Sequence, residues 1–359
     1  MLAISSLGSG GAERVIALLA GALADRGHEV CLVTLTRSTH DFFLVDSRVR
    51  RFGFGLTGDS PNRLYGLWAN VRRLRALRRV VSTLEPHAVL SFMTSTNVLA
   101  ILACMRLPLR IIVSERVDPA AHRETRIWAI LRSVVYRRAD AVVVQTETIA
   151  EWFRTRLGKG ARVVVIPNPV APSSHLESVV RHSRPFILAA GRLAHQKGFD
   201  LLLRAFGAAS ARPQELQLVI AGEGPEGQYL RDLAAQLGLG ERVSFPGRVR
   251  DLSDLMKAAV AFILPSRYEG FPNVLLEALA VGVPCVAADG PGATREILGD
   301  GAYGLLVPPE DWQALAQAIE RITTDSDLRR RYLQAAPAAI EPYRLERVVA
   351  QWERILAGP

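Results

Sequence analysis

Two glutamates, Glu269 and Glu277, frame the most specific pattern in the sequence, the stretch EGFPNVLLE. A strand-like run precedes it, and Pro272 predicts the first position of a helix that continues through Glu277. At the rise of a helix this spacing separates the carboxylates by about 12 Å, whereas a glycosidase pair lies about 5 to 9.5 Å apart. The spacing therefore disfavours a hydrolase pair and favours two carboxylates that hold hydroxyl groups at opposite ends of one long ligand. Glu277 alone is also compatible with a solvated helix residue.

A second candidate group, Arg192 and Lys197, lies in the stretch AGRLAHQKG, where another strand-like run ends. At the carboxyl end of a strand these side chains can meet a diphosphate as two cations, and each hydrogen bond to a charged group contributes about 1.5 to 3 kcal/mol. The N–H groups at the start of the helix after Pro272 can bind the same anion. Both cations are also compatible with ordinary exposed surface positions.

Glycines mark the first predicted turn of the chain, GSGGAERV, from Gly8 to Val15. A strand-like run precedes this stretch and an apolar helix pattern follows, so Gly10 and Gly11 lie at a corner whose free N–H groups suit an anion. Two familiar nucleotide motifs are excluded. No Gly-Lys-Ser/Thr closes a phosphate loop, and Glu13 stands where a dinucleotide fingerprint has its third glycine. A tight turn without a ligand is the alternative.

The elements that must position these residues alternate between strand-like and helix-like runs in both halves of the chain. This alternation predicts an α/β protein with two Rossmann-like, doubly wound parallel-sheet domains that face a cleft. We predict an N-terminal domain at residues 1–170, a C-terminal domain at 171–341, and a last helix at 342–359 that packs back on the first domain. The stretch 167–185, rich in Pro and Ser, is predicted to link the domains.

Composition and charge narrow the class further. The 359 residues are 49% hydrophobic and 22% charged, which is typical of a packed globular protein. The apolar runs are shorter than a membrane span and no charged-then-apolar leader opens the chain, so we expect a cytoplasmic protein with buried cysteine thiols. The net charge of +9 divides into +11 for residues 1–170 and −2 for residues 171–359. The basic half predicts an anionic partner: nucleic acid, a phosphorylated substrate or a membrane surface.

Arginines concentrate on one predicted helix, residues 63–81, which carries five of them within eight residues and no acidic residue. Its apolar positions share one face, and Arg72, Arg75 and Arg79 share another. Near an anionic leaflet each arginine contributes about 1 kcal/mol, so this face can hold the protein at a membrane; a lipid diphosphate is a second partner for it. The alternative is a core-packed helix with a solvated basic side.

In chain order, the stretches GGAERV, GRLAHQKG, AGEGP, FPGRV and EGFPNVLLE resemble glycosyltransferase family 4, whose members have two Rossmann-like domains in the arrangement called GT-B. The resemblance runs over nearly the whole chain. It implies a retaining glycosyltransferase that needs no metal and no cofactor and takes a nucleotide sugar, here a UDP-sugar, as donor. Charge stabilisation of the departing diphosphate then replaces proton donation.

The resemblance also implies roles for individual residues. Arg192 and Lys197 are expected to hold the donor diphosphate, Glu269 the sugar and Glu277 the ribose, and the catalytic group is Arg192, Lys197 and Glu269. The other predicted donor contacts are Gly10, Gly11, Val249, Phe271, Asn273, Val274 and Leu275.

One position departs from the family pattern. Many members carry a histidine at the end of the strand RIIVSER, where this sequence has Arg116. Arginine cannot act as a general base near neutral pH. We therefore assign Arg116, together with Arg72, Arg75 and Arg79, to binding of the acceptor or the membrane.

Within the family, the layout resembles bacterial N-acetylgalactosaminyltransferases that extend saccharides on undecaprenyl diphosphate. We predict transfer of a hexose or N-acetylhexosamine to a polyprenyl-diphosphate-linked oligosaccharide at the inner face of the cell membrane, in surface polysaccharide or glycan assembly. A nucleotide-sugar epimerase of similar fold and a non-catalytic nucleotide-sugar-binding module are the alternatives. Nucleic acid is not an expected partner, and tight, salt-sensitive binding to DNA or RNA would overturn that expectation.

Overall fold

The computed structural model describes residues 1–58, 63–117, 119, 125–158, 160–170, 184–209, 213–249 and 252–358. They divide into two units, the first formed by Met1–Pro169 with Leu345–Pro359 and the second by Val170–Arg344. Most of the predicted linker, residues 171–183, lies outside the described residues.

The first unit is built on seven strands: β1 (Leu2–Ile4), β2 (Cys31–Thr34), β3 (Arg50–Gly53), β4 (Ala88–Phe92), β5 (Arg110–Ser114), β6 (Ala141–Val144) and β7 (Val163–Val165). They form one parallel sheet in the order β3-β2-β1-β4-β5-β6-β7. Its helices, besides the last helix of the chain, are α1 (Gly11–Asp25), α2 (Arg63–Leu84), α3 (Thr94–Cys104), α4 (Arg126–Val135) and α5 (Glu147–Leu157).

The second unit has six strands: β8 (Phe186–Ala190), β9 (Gln217–Ala221), β10 (Val243–Gly247), β11 (Ala261–Leu264), β12 (Cys285–Ala288) and β13 (Leu305–Val307). Their order in the sheet is β10-β9-β8-β11-β12-β13, again with parallel pairing throughout. Its helices are α6 (Phe199–Ala208), α7 (Gly227–Gln236), α8 (Ser253–Ala258), α9 (Asn273–Ala280), α10 (Thr294–Ile297), α11 (Trp312–Thr324) and α12 (Ser326–Ile340), and α13 (Leu345–Ala357) returns to the first unit.

The central strands of both sheets are buried on their two faces, which explains why they are short runs of Val, Ile, Leu and Ala, whereas the edge strands β3 and β10 are partly exposed. In the first unit one face of the sheet packs against α1 and α13. There Trp352 is fully buried, with its ring centroid 6.1 Å from that of Phe92. The other face packs against α3 and α5. In the second unit α6, α7 and α11 cover one face and α9 lies in the cluster on the other.

The predicted fold class, two doubly wound α/β domains with parallel sheets, is confirmed. Each of the thirteen strands corresponds to a strand-like run of the sequence, but every strand except β10 ends earlier than its run. β1 ends at Ile4, for example, because Ser5 leaves the ladder and its carbonyl accepts the N–H groups of Leu35 and Thr36. Among the described residues no helix is long and apolar enough to cross a bilayer, and the three cysteines are buried free thiols.

Candidate active site

The three predicted catalytic residues lie after two strands of the second sheet. Arg192 and Lys197 follow β8, and Glu269 follows β11. These strands are neighbours, and the chain progression reverses between them, since β9 lies on one side of β8 and β11 on the other. Such a reversal leaves a crevice at the carboxyl edge, which is where open α/β sheets bind ligands.

An ion pair joins the two strand ends. Lys197 Nζ lies 2.5 Å from Glu269 Oε1, and the Ser266 hydroxyl donates to the same oxygen over 2.6 Å. The Glu269 side chain is only 7% exposed and that of Lys197 18%. An ammonium has three N–H donors, and among the described residues only Glu269 accepts one from Lys197. The pair therefore holds a cation at the crevice, and the ammonium of Lys197 keeps further N–H donors for a ligand.

The alternative of an ordinary exposed surface position does not hold for Lys197. Arg192 is exposed at the strand end, whereas Lys197 is half-buried because its ammonium folds onto the buried carboxylate of Glu269. Sequence reasoning did not find this pairing or the contribution of Ser266. Among the described residues, no group of His, Cys, Asp and Glu is clustered closely enough to hold a metal ion.

Two glycines let the loops of this edge approach one another. Gly198 has φ +64°, and a Cβ there would overlap the carbonyl oxygen of Pro265. Gly292 has φ +127°, and a Cβ there would overlap the carbonyl oxygen of Glu269. The second loop also accepts the Glu269 N–H at Pro291 O over 2.9 Å. The loops that carry Lys197 and Glu269 therefore have close main-chain contacts at Gly198 and Gly292, where only glycine fits.

A second ion pair ties the same loops together. Arg267 donates to both carboxylate oxygens of Asp200, each over 2.8 Å, and to the carbonyl of His195 over 2.7 Å. Burial acts to raise the pKa of the Asp200 carboxyl, but the hydrogen bonds and charge of Arg267 outweigh it and lower that pKa. Sequence reasoning missed this pair, whose members are 67 positions apart.

The helix after Glu269 begins one residue later than predicted. Pro272 is the N-cap, and α9 starts at Asn273. Glu269 therefore lies in the preceding loop, and the estimate of about 12 Å between the two carboxylates, which assumed helical rise throughout, does not apply. Glu277 is half-buried on α9.

The remaining predicted donor contacts of this unit differ in exposure. Asn273, Val274 and Val249 are half-buried. Leu275 is fully buried and Phe271 is 8% exposed, with its ring against that of Tyr343 at a centroid distance of 5.8 Å. Both side chains belong to the hydrophobic core, and the donor contacts expected of these two residues stay a prediction.

The predicted glycine corner of the first unit is the start of α1. Gly10 is the N-cap with φ −86°, so it is not required for a left-handed backbone. A Cβ at Gly10 would instead overlap the Glu13 carboxylate, which folds back over this helix end. Burial raises the pKa of the Glu13 carboxyl, against hydrogen bonds from its own N–H and from Ser6. Gly11, the first residue of α1, is exposed.

Arg116 is buried rather than exposed, and its assignment to the acceptor or the membrane stays a prediction. The side chain is 7% exposed, its guanidinium carbon lies 3.9 Å from the centre of the Phe92 ring, and Nη1 donates to Asn168 Oδ1. Burial lowers the pKa of Arg116 to about 9. The preceding residue, Glu115, is buried too and accepts hydrogen bonds from Thr94 and Tyr136.

The arginines of α2 divide into two groups. Arg73 donates to the Leu56 carbonyl, and Arg78 donates to the carbonyls of Ala103 and Met105. The other three, Arg72, Arg75 and Arg79, are exposed and form no ion pair among the described residues. The guanidinium of Arg72 stacks 4.6 Å from the centre of the Trp68 ring.

Two doubly wound parallel-sheet domains are the architecture of the GT-B type, and the family matches identify the class of this chain. Residues 10–169 match the model of a glycosyl transferase 4-like domain, and residues 173–339 match that of glycosyl transferases group 1. Together the two matches span both units, and the chain belongs to these glycosyltransferases.

Individual relatives are similar over their full lengths. An α-1,4-N-acetyl-D-galactosaminyltransferase of Campylobacter jejuni, named for a GalNAc-GalNAc-diNAcBac saccharide on PP-undecaprenol, is 27% identical over 99% of this chain and 97% of its own. Sucrose-phosphate synthase from Thermosynechococcus elongatus has a TM-score of 0.83 at 21% identity, covering 98% of this chain and 96% of that one. Anabaena HepE, solved with UDP and glucose, has a TM-score of 0.79 at 21% identity, covering 100% and 99%.

Proposed function

We propose that this glycosyltransferase retains anomeric configuration, needs no metal, and moves a hexose or N-acetylhexosamine from a UDP-sugar to a polyprenyl-diphosphate-linked oligosaccharide. The observation that carries the proposal is the Lys197–Glu269 pair at the reversal point of the second sheet. A fixed cation there stabilises the charge that develops on a departing diphosphate, and a carboxylate beside it can accept hydrogen bonds from sugar hydroxyls. Exposed Arg192 supplies a second cation.

The donor can be tested by thermal unfolding of the wild-type protein with a panel of UDP- and GDP-sugars. A ligand that binds only the folded state at 100 times its Kd adds about 2.7 kcal/mol to the free energy of unfolding. We expect UDP and at least one UDP-sugar to raise the Tm, with no comparable shift from GDP-sugars. Stabilisation by GDP-sugars alone would contradict the proposed donor.

The acceptor is proposed to bind at the exposed arginines of α2. Support comes from the lack of ion pairs at Arg72, Arg75 and Arg79 among the described residues, and from the lipid-linked saccharide in the name of the Campylobacter relative. Arginine donors match phosphate oxygens in a bidentate geometry. Three of them within eight residues suit a diphosphate between a saccharide and a lipid.

Replacing Arg72, Arg75 and Arg79 together with glutamine is expected to spare UDP binding and to lower transfer to a lipid-linked acceptor at least about tenfold, since each lost charge-assisted bond removes 1.5 to 3 kcal/mol. Binding to anionic vesicles should also lose part of its salt dependence. The matched control is Arg73→Gln, which removes an arginine that contacts the protein's own backbone. Unchanged acceptor kinetics and vesicle binding in the triple variant would show that these arginines are only a solvated face of α2.

Helix α4 supports the proposed membrane association. Ile127, Ile130 and Val134 follow helical spacing on its outer side and are 65%, 64% and 54% exposed. Exposed arginines flank this apolar stripe at positions 126, 137 and 138. Apolar side chains with basic neighbours are the composition of helices that lie in the interface of an anionic bilayer.

A further inference from the structure

A cavity of about 410 Å³ that is open to solvent lies at the surface of the first unit, between strand β7 and helix α13, and its three arginines are exposed. Its wall carries three arginines, Arg162, Arg347 and Arg354, and the amide of Gln351. The polar residues from α13, Arg347, Gln351 and Arg354, are four and three positions apart and so lie on one side of that helix. Arg162 immediately precedes β7.

The rest of the lining is apolar. Val164, Ile166 and Ile355 contribute to it, and Ile166 and Ile355 are only 1% and 5% exposed. The cavity thus combines a cationic wall with a hydrophobic floor. Its volume falls in the range of about 300 to 1,000 Å³ that is typical of small-molecule sites.

The described residues that line the cavity include no carboxylate. The Glu353 carboxylate of α13 is engaged elsewhere, 2.5 Å from Arg26 and 2.9 Å from His28. Within the described part of the chain, the side chains of Arg162 and Arg354 form no hydrogen bond or ion pair. Like charges around one cavity repel, so an anion that enters it is favoured.

We propose that this cavity binds a phosphate-bearing ligand, with the arginines on the phosphate oxygens and an apolar part of the ligand on the floor. Guanidinium groups match phosphate geometry through paired N–H donors. Arg162 lies at the amino end of β7 in the first unit, whereas the Lys197–Glu269 pair belongs to the second unit. The phosphate can belong to a lipid headgroup or to a soluble compound.

The test compares Arg162→Gln/Arg354→Gln with the control Arg204→Gln/Arg321→Gln, which removes the same charge from exposed positions outside the cavity. All proteins carry Arg192→Ala/Lys197→Ala, which removes the proposed diphosphate contacts of the second unit. Calorimetric titration with inorganic pyrophosphate measures a soluble ligand, and sedimentation with phosphatidylglycerol–phosphatidylcholine vesicles measures a lipid headgroup. Thermal unfolding checks that the variants remain folded.

We expect the cavity variant to bind either pyrophosphate or the vesicles with an affinity at least about tenfold lower than that of its parent, because two charge-assisted contacts are lost. The control should keep the affinity of its parent. A loss in the pyrophosphate arm identifies a soluble phosphate ligand, and a loss in the vesicle arm alone identifies a lipid headgroup. Equal affinities for the cavity variant and its parent in both arms, or equal losses in the control, would overturn the proposal.

Discussion

Replacing Lys197 with alanine is expected to lower turnover by about 100- to 1,000-fold, the loss that follows removal of one donor to a developing anion. The ammonium is held 2.5 Å from the carboxylate of Glu269 and is only 18% exposed, so no solvated side chain can take over its position. Arg192→Ala should also lower turnover by orders of magnitude through loss of the second cation. Steady-state transfer kinetics at saturating donor measure both effects.

Controls separate catalysis from folding in this experiment. Removing Lys197 leaves the buried Glu269 carboxylate without its cation, which also destabilises the fold, so the Tm of each variant is needed. Lys197→Arg keeps the charge and should recover part of the turnover. Lys257→Ala, at an exposed lysine of α8 in the same unit, should behave as wild type. Turnover of folded Lys197→Ala within about threefold of wild type, a change worth less than 1 kcal/mol, would contradict the diphosphate assignment.

Glu269→Gln and Glu277→Gln are expected to fail in different ways. The first should lower kcat by about 100-fold with little change in UDP affinity, because its carboxylate is proposed to hold the sugar, which UDP alone lacks. The second should weaken UDP binding by about ten- to 100-fold, the equivalent of one charge-assisted hydrogen bond to the ribose. Isothermal titration with UDP alone, combined with transfer kinetics, distinguishes them.

The exposed Glu215, changed to glutamine, is the matched control and should alter neither quantity. Equal losses of UDP affinity in Glu269→Gln and Glu277→Gln would count against the division of roles. An unchanged kcat in Glu269→Gln would remove this residue from the catalytic group.

Most strands were predictable from the sequence because they are buried apolar runs of a parallel sheet, a pattern that needs no knowledge of its neighbours. The order of the strands in the sheet was not predictable from these runs. That β8 and β11 are adjacent brings Lys197 and Glu269 together across 72 positions, and nothing in the local sequence of either loop encodes this. The same limit hid the pairing of Asp200 with Arg267.

The burial of polar side chains also could not be predicted from local sequence patterns. Arg116 follows a strand at the carboxyl edge, where an arginine was expected to meet a ligand or lipid, but the rings of Phe92 and Trp352 enclose its guanidinium. Trp352 comes from α13, at the opposite end of the chain. By contrast, the outward arginines of α2 follow the helical period of one segment, and that period was sufficient to place Arg72, Arg75 and Arg79 on one exposed side.

Release of UDP is the most direct measurement of sugar transfer from a UDP-sugar to a lipid-linked saccharide. Wild-type protein is incubated with the UDP-sugar that stabilises it most, with and without polyprenyl-diphosphate-linked oligosaccharide extracted from bacterial membranes. We expect UDP release that requires the acceptor, together with an acceptor extended by one sugar, and loss of both in Lys197→Ala. Conversion of the UDP-sugar to its epimer without acceptor, or binding of the UDP-sugar with no release of UDP, would contradict this expectation.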